Sequence, residues 1–126
     1  MSISDLSVAY HGKGNNCAQS VLLSCSDFTG IEDALAVSIA EGFGGGCRCG
    51  EICGSVSGGI MALGIACYKS GKNKKEIAAL TKSYCTDFKD HFAYIRCSEL
   101  KGNGKYTCDE LIAYAAELAE KYINNL

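Results

Sequence analysis

Apolar residues recur at helical spacing along most of the chain. The clearest case lies near the C-terminus, where intervals of three and four residues place on one face Leu111, Ile112, Ala115, Ala116, Ala119, Tyr122 and Ile123. This spacing is typical of an amphipathic helix with one buried side. Thr107 precedes the segment, and Glu110 follows three residues later, which is the order of a capping box. A helix is therefore predicted to begin after Thr107.

Similar signals predict helices upstream. Polar capping residues mark the starts of four predicted helices. One begins at Asn15 or Asn16 and ends near Cys25, and a second begins at Thr29 with Glu32 and ends near Glu41. A third begins at Ser55 or Ser57 and ends near Gly71, and a fourth begins at Asn73 with Glu76 and ends near Phe92. A first helix from about Ser4 to His11 and a short turn near Cys97 complete the pattern. No segment alternates long enough to indicate a strand. The prediction is an all-α fold, a single compact helical domain of five to seven helices over residues 1–126.

One segment does not fit the helical pattern. Between Glu41 and Gly59 the chain is rich in glycine and cysteine, with Gly42, Gly44, Gly45, Gly46, Gly50, Gly54, Gly58, Cys47, Cys49 and Cys53. Glycine permits positive φ and close approach of the backbone to another group. We therefore expect a Gly/Cys-rich loop that wraps a functional group, with Gly44, Gly45, Gly46, Gly54 and Gly58 as its candidate residues.

Charge and hydropathy exclude several classes of function. The 126 residues include 12 basic and 14 acidic side chains, for a net charge of −2, which argues against a nucleic-acid partner. The N-terminus lacks the basic and apolar regions of a signal peptide. The longest apolar stretch, Val56 to Tyr68, is interrupted by glycines and is too short to span a bilayer. We therefore expect a cytoplasmic protein with no membrane partner.

Nine cysteines are the most unusual feature of the composition. Disulfides are rare in the cytoplasm, so this number favours metal ligation or thiol chemistry. Cys17 and Cys108 lie at the starts of predicted helices, Cys53 lies just before one, and Cys97 follows Arg96. Helix N-termini and nearby cations lower the pKa of a thiol. These four cysteines are accordingly predicted to be acidic thiols.

The other cysteines give different signals. Three lie within apolar helical segments and are expected to pack in the core: Cys25, Cys67 and Cys85. Cys47 and Cys49 form a C-x-C-x₃-C pattern with Cys53, which matches neither a zinc ribbon nor a bacterial ferredoxin. Their close spacing favours joint ligation or a vicinal dithiol. His11 and His91 stand alone and are expected to be surface or packing residues.

The order of the motifs resembles a known family. The motifs are Asn16-Cys17-Ala18-Gln19, Gly42-Phe43-Gly44-Gly45-Gly46, Cys53-Gly54-Ser55-Val56-Ser57-Gly58, Arg96-Cys97-Ser98-Glu99-Leu100 and Cys108. From about Ser7 to Tyr122 the chain is similar to redox-active proteins with a CGAxxG motif and four shared cysteines. The resemblance places those cysteines at Cys17, Cys53, Cys97 and Cys108, and it implies a small helical redox protein. Ser55 stands where the motif has alanine, and Cys47 and Cys49 are additional.

Several functions remain open at this point. The leading hypothesis is an electron-transfer or sensing module in which Cys17, Cys53, Cys97 and Cys108 hold an iron–sulfur cluster. The alternatives are a thiol–disulfide module without metal, a structural zinc site, and a helical interaction protein with incidental cysteines. Cys47 and Cys49 could serve as additional ligands or as resolving thiols.

Partners and catalysis are less defined. No paired carboxylates, nucleophile–base pair or cofactor fingerprint supports an enzyme with its own organic substrate. We expect a redox partner protein. The segment Val56 to Tyr68 could form a homodimer interface or be the central helix of the domain.

Overall fold

Helices account for the fold of the computed structural model, which describes residues 1–102 and 104–126. The described residues form α1 (Ile3–Gly12), α2 (Cys17–Ser24), α3 (Ser26–Thr29), α4 (Asp33–Ala40), α5 (Gly54–Lys69), α6 (Lys74–Phe92), α7 (Cys97–Gly102) and α8 (Cys108–Asn124). A 3₁₀ turn (Glu41–Phe43) and an irregular turn (Gly46–Gly50) connect α4 to α5. The predicted all-α fold is confirmed. The described residues form eight helices where five to seven were predicted: α7 is the predicted short turn near Cys97, and α3 is a short helix that was not predicted.

The core lies where α1, α2, α5 and α8 pack together. Their apolar faces bury residues such as Val21, Leu63 and Ile112 completely, and α6 covers α5 and α8 from one side. The α6 residue Tyr84 is also fully buried, and its hydroxyl donates a hydrogen bond to the Ala115 carbonyl of α8 at 2.8 Å. Thus α5 is the central helix of the fold, one of the two roles expected for its apolar segment.

Reciprocal capping boxes begin three helices, as the sequence predicts. They are formed by Asn16 with Gln19 in α2, Asn73 with Glu76 in α6, and Thr107 with Glu110 in α8. In each box the cap side chain accepts a hydrogen bond from the third backbone N–H of the helix, and the third side chain accepts one from the cap residue. These bonds satisfy two donors that a helix start would otherwise leave unpaired.

Two predicted helix starts are wrong. Thr29 ends α3, and the left-handed Gly30 that follows (φ 69°) separates it from α4, whose N-cap Glu32 makes no capping bond. Neither Ser55 nor Ser57 caps α5, because the helix already begins at Gly54 and Cys53 holds the N-cap position. Long-range backbone bonds at Cys53, described below, fix that start.

Gly54 and Gly58 are helical, so the prediction that both belong to the loop is wrong. A Cβ on Gly58 would lie 2.5 Å from the Ala18 carbonyl oxygen of α2. This glycine is therefore required by the close approach of α2 and α5. Among the described residues, no helix combines the length and the apolar character that crossing a membrane requires.

Candidate functional site

Four cysteines lie at the starts of four different helices. Cys17, Cys97 and Cys108 are the first residues of α2, α7 and α8, and Cys53 is the N-cap of α5. The first backbone N–H groups of a helix have no partner within it, and they carry the positive end of the helix dipole. Each of these sulfurs is thus placed at the end of a helix that favours negative charge.

The fold brings these four cysteines together, although they are far apart in sequence. The pKa of Cys17 is raised first by burial and then by the neighbouring Cys108 thiol, so these two cysteines lie near each other. The charge of a Cys53 thiolate raises the pKa of Cys17, and the charge of a Cys97 thiolate raises the pKa of Cys53. Electrostatic coupling of this kind requires proximity. Cys17 is thus linked to Cys108 and Cys53, and Cys53 to Cys97, and we call these four neighbouring cysteines the cysteine cluster.

Backbone hydrogen bonds align Cys53 with Cys97. An antiparallel bridge joins the two residues that immediately precede these cysteines. The Cys53 N–H donates to the Ile95 carbonyl at 2.8 Å, and the Cys97 N–H donates to the Glu51 carbonyl at 2.7 Å. Two segments distant in sequence are thereby held side by side at the edge of the cluster.

Two glycines lie against residues of the cysteine cluster, where a side chain would not fit. A Cβ on Gly54 would lie 3.2 Å from the Cβ of Cys17 and 2.8 Å from the Phe43 carbonyl oxygen. A Cβ on Gly46 would lie 2.9 Å from the Cβ of Cys97, and Gly46 also has a left-handed φ of 64°. Both positions therefore require glycine, because the backbone there lies against the Cβ atoms of Cys17 and Cys97.

Burial changes the ionisation of two thiols against the sequence prediction. Desolvation raises the pKa of Cys17 to about 12, and the neighbouring Cys108 and Cys53 add to the rise. Burial also raises the pKa of Cys53, although the Ser55 hydroxyl and the backbone N–H groups of Ser55 and Val56 lower it. The prediction that Cys17 and Cys53 are acidic thiols is wrong, because the cost of burying a thiolate exceeds the effect of the helix start.

A lysine stands beside the cluster. The Lys101 Nζ lies 3.0 Å from the Cys108 sulfur. This hydrogen bond and the charge of Cys108 raise the pKa of Lys101, and the charges of Cys17 and Cys97 contribute to the rise. A stable positive charge is thus close to three of the four cysteines.

Sequence reasoning assigned this role to a different cation. Arg96 was expected to act on Cys97, but its Nη2 pairs with the Glu51 Oε2 at 2.9 Å. Lys101 follows Cys97 by four residues, which places both on one side of α7. That spacing is the signal from which the lysine could have been identified.

Cys47 and Cys49 are exposed on the loop and do not lie at a helix start. Four consecutive residues there have left-handed φ values of 59–64°, Gly45, Gly46, Cys47 and Arg48. The Arg48 Nη2 donates to the Glu41 carbonyl at 2.9 Å, which ties this turn to the preceding one. Gly44, Gly45 and Gly46 are loop residues, as predicted. A ligand or resolving role for Cys47 and Cys49 stays a prediction.

The remaining cysteines pack as expected. Cys25 and Cys67 are fully buried in the core, and the half-buried Cys85 packs against it. The two histidines also have ordinary partners. His11 Nδ1 lies 2.7 Å from the Asp109 Oδ1, and the His91 ring stacks on Tyr114 with centroids 4.0 Å apart.

A site for a single metal ion is a separate question. Within residues 1–102 and 104–126, no three or more His, Cys, Asp or Glu side chains are arranged so that they could hold one metal ion. A tetrahedral zinc site places four sulfurs about 2.3 Å from one ion, so the sulfurs must nearly touch one another. As arranged here, the cysteine cluster is not a ready-made site for a single zinc ion.

Comparison with known proteins agrees with the cysteine pattern. No curated protein and no solved structure matches the chain. One family model, described as "Putative redox-active protein (C_GCAxxG_C_C)", matches residues 15–122. Its label contains four cysteines, one of them in a short motif with glycine and alanine, and the matched segment includes the whole cysteine cluster. Because the match covers most of its length, the chain belongs to this family of redox-active proteins.

Proposed function

We propose that the protein is an electron-transfer or sensing module whose cysteine cluster, Cys17, Cys53, Cys97 and Cys108, holds an iron–sulfur cluster. The observation that supports this most is the convergence of four thiols from four helix starts. Four cysteine thiolates are the usual ligand set of [2Fe–2S] and [4Fe–4S] clusters.

The surroundings of the thiols fit such a group. A cluster with four thiolates is anionic, and the helix starts together with Lys101 offer N–H donors and positive charge at the same place. The buried hydroxyl of Ser55 has no hydrogen-bond partner among the described residues and could donate to a sulfur. When bound, the cluster would supply reversible one-electron transfer.

The residues of the chain have distinct roles in this proposal. The four cysteines bind, and binding a metal would release their protons. Gly46 and Gly54 allow the backbone to come close to Cys97 and Cys17. Cys53 is only 3% exposed, so its side of the site is closed to water. The other three cysteines are half-buried. Those three border the surface at which a redox partner protein would dock.

A second candidate is thiol–disulfide exchange between Cys17 and Cys108, which the proximity of their thiols favours. The two thiols would lose two protons and two electrons and form one disulfide. A disulfide of a partner protein would take up the electrons and protons and become two thiols. The pKa of about 12 at Cys17 counts against this function, because the thiolate is the attacking form.

Strictly anaerobic purification distinguishes the candidates. Iron, acid-labile sulfide and zinc are counted per chain, and an absorption spectrum is recorded. We expect coloured protein with stoichiometric iron and sulfide, and loss of both when any one of the four cysteines is changed to serine. Cys85→Ser is the matched control, because Cys85 is also half-buried but packs against the core. Colourless protein without iron that reversibly loses two free thiols on oxidation would contradict the iron–sulfur proposal. That result would favour thiol–disulfide exchange.

A further inference from the structure

Ser55 leaves one buried polar atom without a partner. The residue is 0% exposed, and its Oγ makes no hydrogen bond in the part of the chain that the structure describes. Taking a hydroxyl out of water without giving it a partner costs free energy, so an isolated buried hydroxyl calls for an explanation.

Helical serines elsewhere in the chain show what is missing. Ser7, Ser20 and Ser24 each donate to a carbonyl three or four residues earlier, at 2.6–2.7 Å. This is the usual way in which a serine within a helix satisfies its hydroxyl. The carbonyl four residues before Ser55 belongs to Glu51 and already accepts the Cys97 N–H. The irregular chain before α5 thus deprives Ser55 of the local acceptor that the other serines use.

The unpartnered hydroxyl faces the cysteine cluster. Ser55 is the second residue of α5, whose N-cap is Cys53, and the Val56 N–H donates to the Cys53 carbonyl at 3.0 Å. This first turn holds the Ser55 side chain close to the Cys53 sulfur, but its hydroxyl makes no hydrogen bond there among the described residues. The Cys53 sulfur therefore lies at the start of α5 and next to the buried, unpartnered hydroxyl of Ser55.

We propose that Ser55 is a positioning residue, which donates its hydrogen bond to the Cys53 sulfur when that sulfur is a cluster ligand and thereby raises the reduction potential of the site. This assignment rests on the proposed iron–sulfur function. A donor to a ligand sulfur stabilises the more negative, reduced state, and hydrogen bonds to sulfur are among the determinants of cluster potentials. Ser55 adds a donor that the alanine of the motif cannot provide.

The test is a redox titration of the anaerobically purified, cluster-containing protein. We expect Ser55→Ala to keep the iron and sulfide content of the parent and to move the midpoint potential to a more negative value. Ser57→Ala, which removes a hydroxyl from the same helical turn, is the matched control and should keep the parent's midpoint. Ser55→Thr retains the hydroxyl and should also keep it.

Different failures have different meanings. A parent without iron and sulfide overturns the proposed function together with the role of Ser55. A cluster-containing Ser55→Ala protein with the parent's midpoint overturns the role of Ser55 alone. If Ser55→Ala loses its iron, a Ser55→Thr protein that keeps its iron and the parent's midpoint potential supports the proposal. Loss of iron from both variants overturns it. Thermal unfolding of the apoprotein adds a check, because a hydroxyl without a partner should not stabilise the empty fold.

Discussion

Lys101 and Cys108 lie on consecutive helices, α7 and α8, and the lysine ammonium is 3.0 Å from the cysteine sulfur. On the proposed iron–sulfur function, we predict that Lys101→Met, which keeps an apolar stem but removes the charge, accelerates loss of iron to a chelator about fivefold. An exposed charge pair contributes up to about 1 kcal/mol, which corresponds to that factor. The chelator-dependent bleaching of the absorption spectrum measures the rate.

Two further variants control for this effect. Lys101→Arg keeps the positive charge and should stay close to the parent. Lys82→Met removes an exposed charge from α6 and should leave the rate unchanged. Equal rates in Lys101→Met and the parent would mean that the ammonium does not stabilise the bound state.

The buried thiol of Cys25 predicts a dependence of stability on pH. Burial raises the pKa of Cys25 to about 12 from its ordinary 9.0. Between these values the folded chain keeps a proton that the unfolded chain loses, so the free energy of unfolding must fall as pH rises from 9 towards 12. The expected loss is a few kcal/mol at most. Urea unfolding of the reduced apoprotein at increasing pH measures it.

Cys25→Ala should make this pH profile less steep without flattening it, because burial also raises the pKa values of the Cys17 and Cys53 thiols. Cys47→Ala also removes one thiol, but from an exposed position, and serves as the control. A pH profile that is as steep in Cys25→Ala as in Cys47→Ala would show that other groups are responsible.

Two glycines of α5 make a matched pair for stability. A Cβ on Gly58 would press on the Ala18 carbonyl at 2.5 Å, whereas a Cβ on Gly64 would meet nothing within 4 Å. Gly58→Ala is expected to lower the free energy of unfolding by about 1–3 kcal/mol through overpacking. Gly64→Ala should raise it by about 0.5–1 kcal/mol, because alanine favours the helix. Chemical denaturation of both variants checks the opposite signs.

Gly46 and Gly42 provide a similar comparison at the loop. Gly46 combines φ of 64° with a Cβ position 2.9 Å from the Cβ of Cys97, whereas a Cβ on Gly42 would meet nothing within 4 Å. Gly46→Ala should displace Cys97 and reduce the iron content of anaerobically purified protein several-fold. Gly42→Ala should retain the iron content of the parent. Full iron content in both variants would show that Cys97 tolerates the displacement.

The sequence predicts a helix start well where the capping residue and its partner lie within one turn of each other. The caps at Asn73 and Thr107 need only a partner three residues on, and the structure confirms both; at the predicted cap Asn15 or Asn16 it shows Asn16, with a box to Gln19. The start of α5 was missed, because it depends on backbone bonds between Cys53 and Ile95 and between Cys97 and Glu51. Such pairing across more than forty residues leaves no periodic trace in the sequence.

The cysteine cluster was predicted for a reason that is only partly right. Helix starts did identify Cys17 and Cys108, and both lie at the first position of a helix. Sequence position reveals the helix dipole but not the depth of burial, which raises rather than lowers the pKa of Cys17. The contact of Lys101 with Cys108 was likewise missed, because it joins two helices.

The scattering of the four cysteines along the chain also bears on assembly. Cys17 lies near one end of the family match and Cys108 near the other, so the group exists only after almost the whole matched segment has been synthesised. A cofactor held by all four would cross-link distant parts of the chain and reduce the entropy of the unfolded state, as a closed loop does. Insertion of such a cofactor would therefore need the chain from Cys17 to Cys108 to have been synthesised and all four thiols to be reduced.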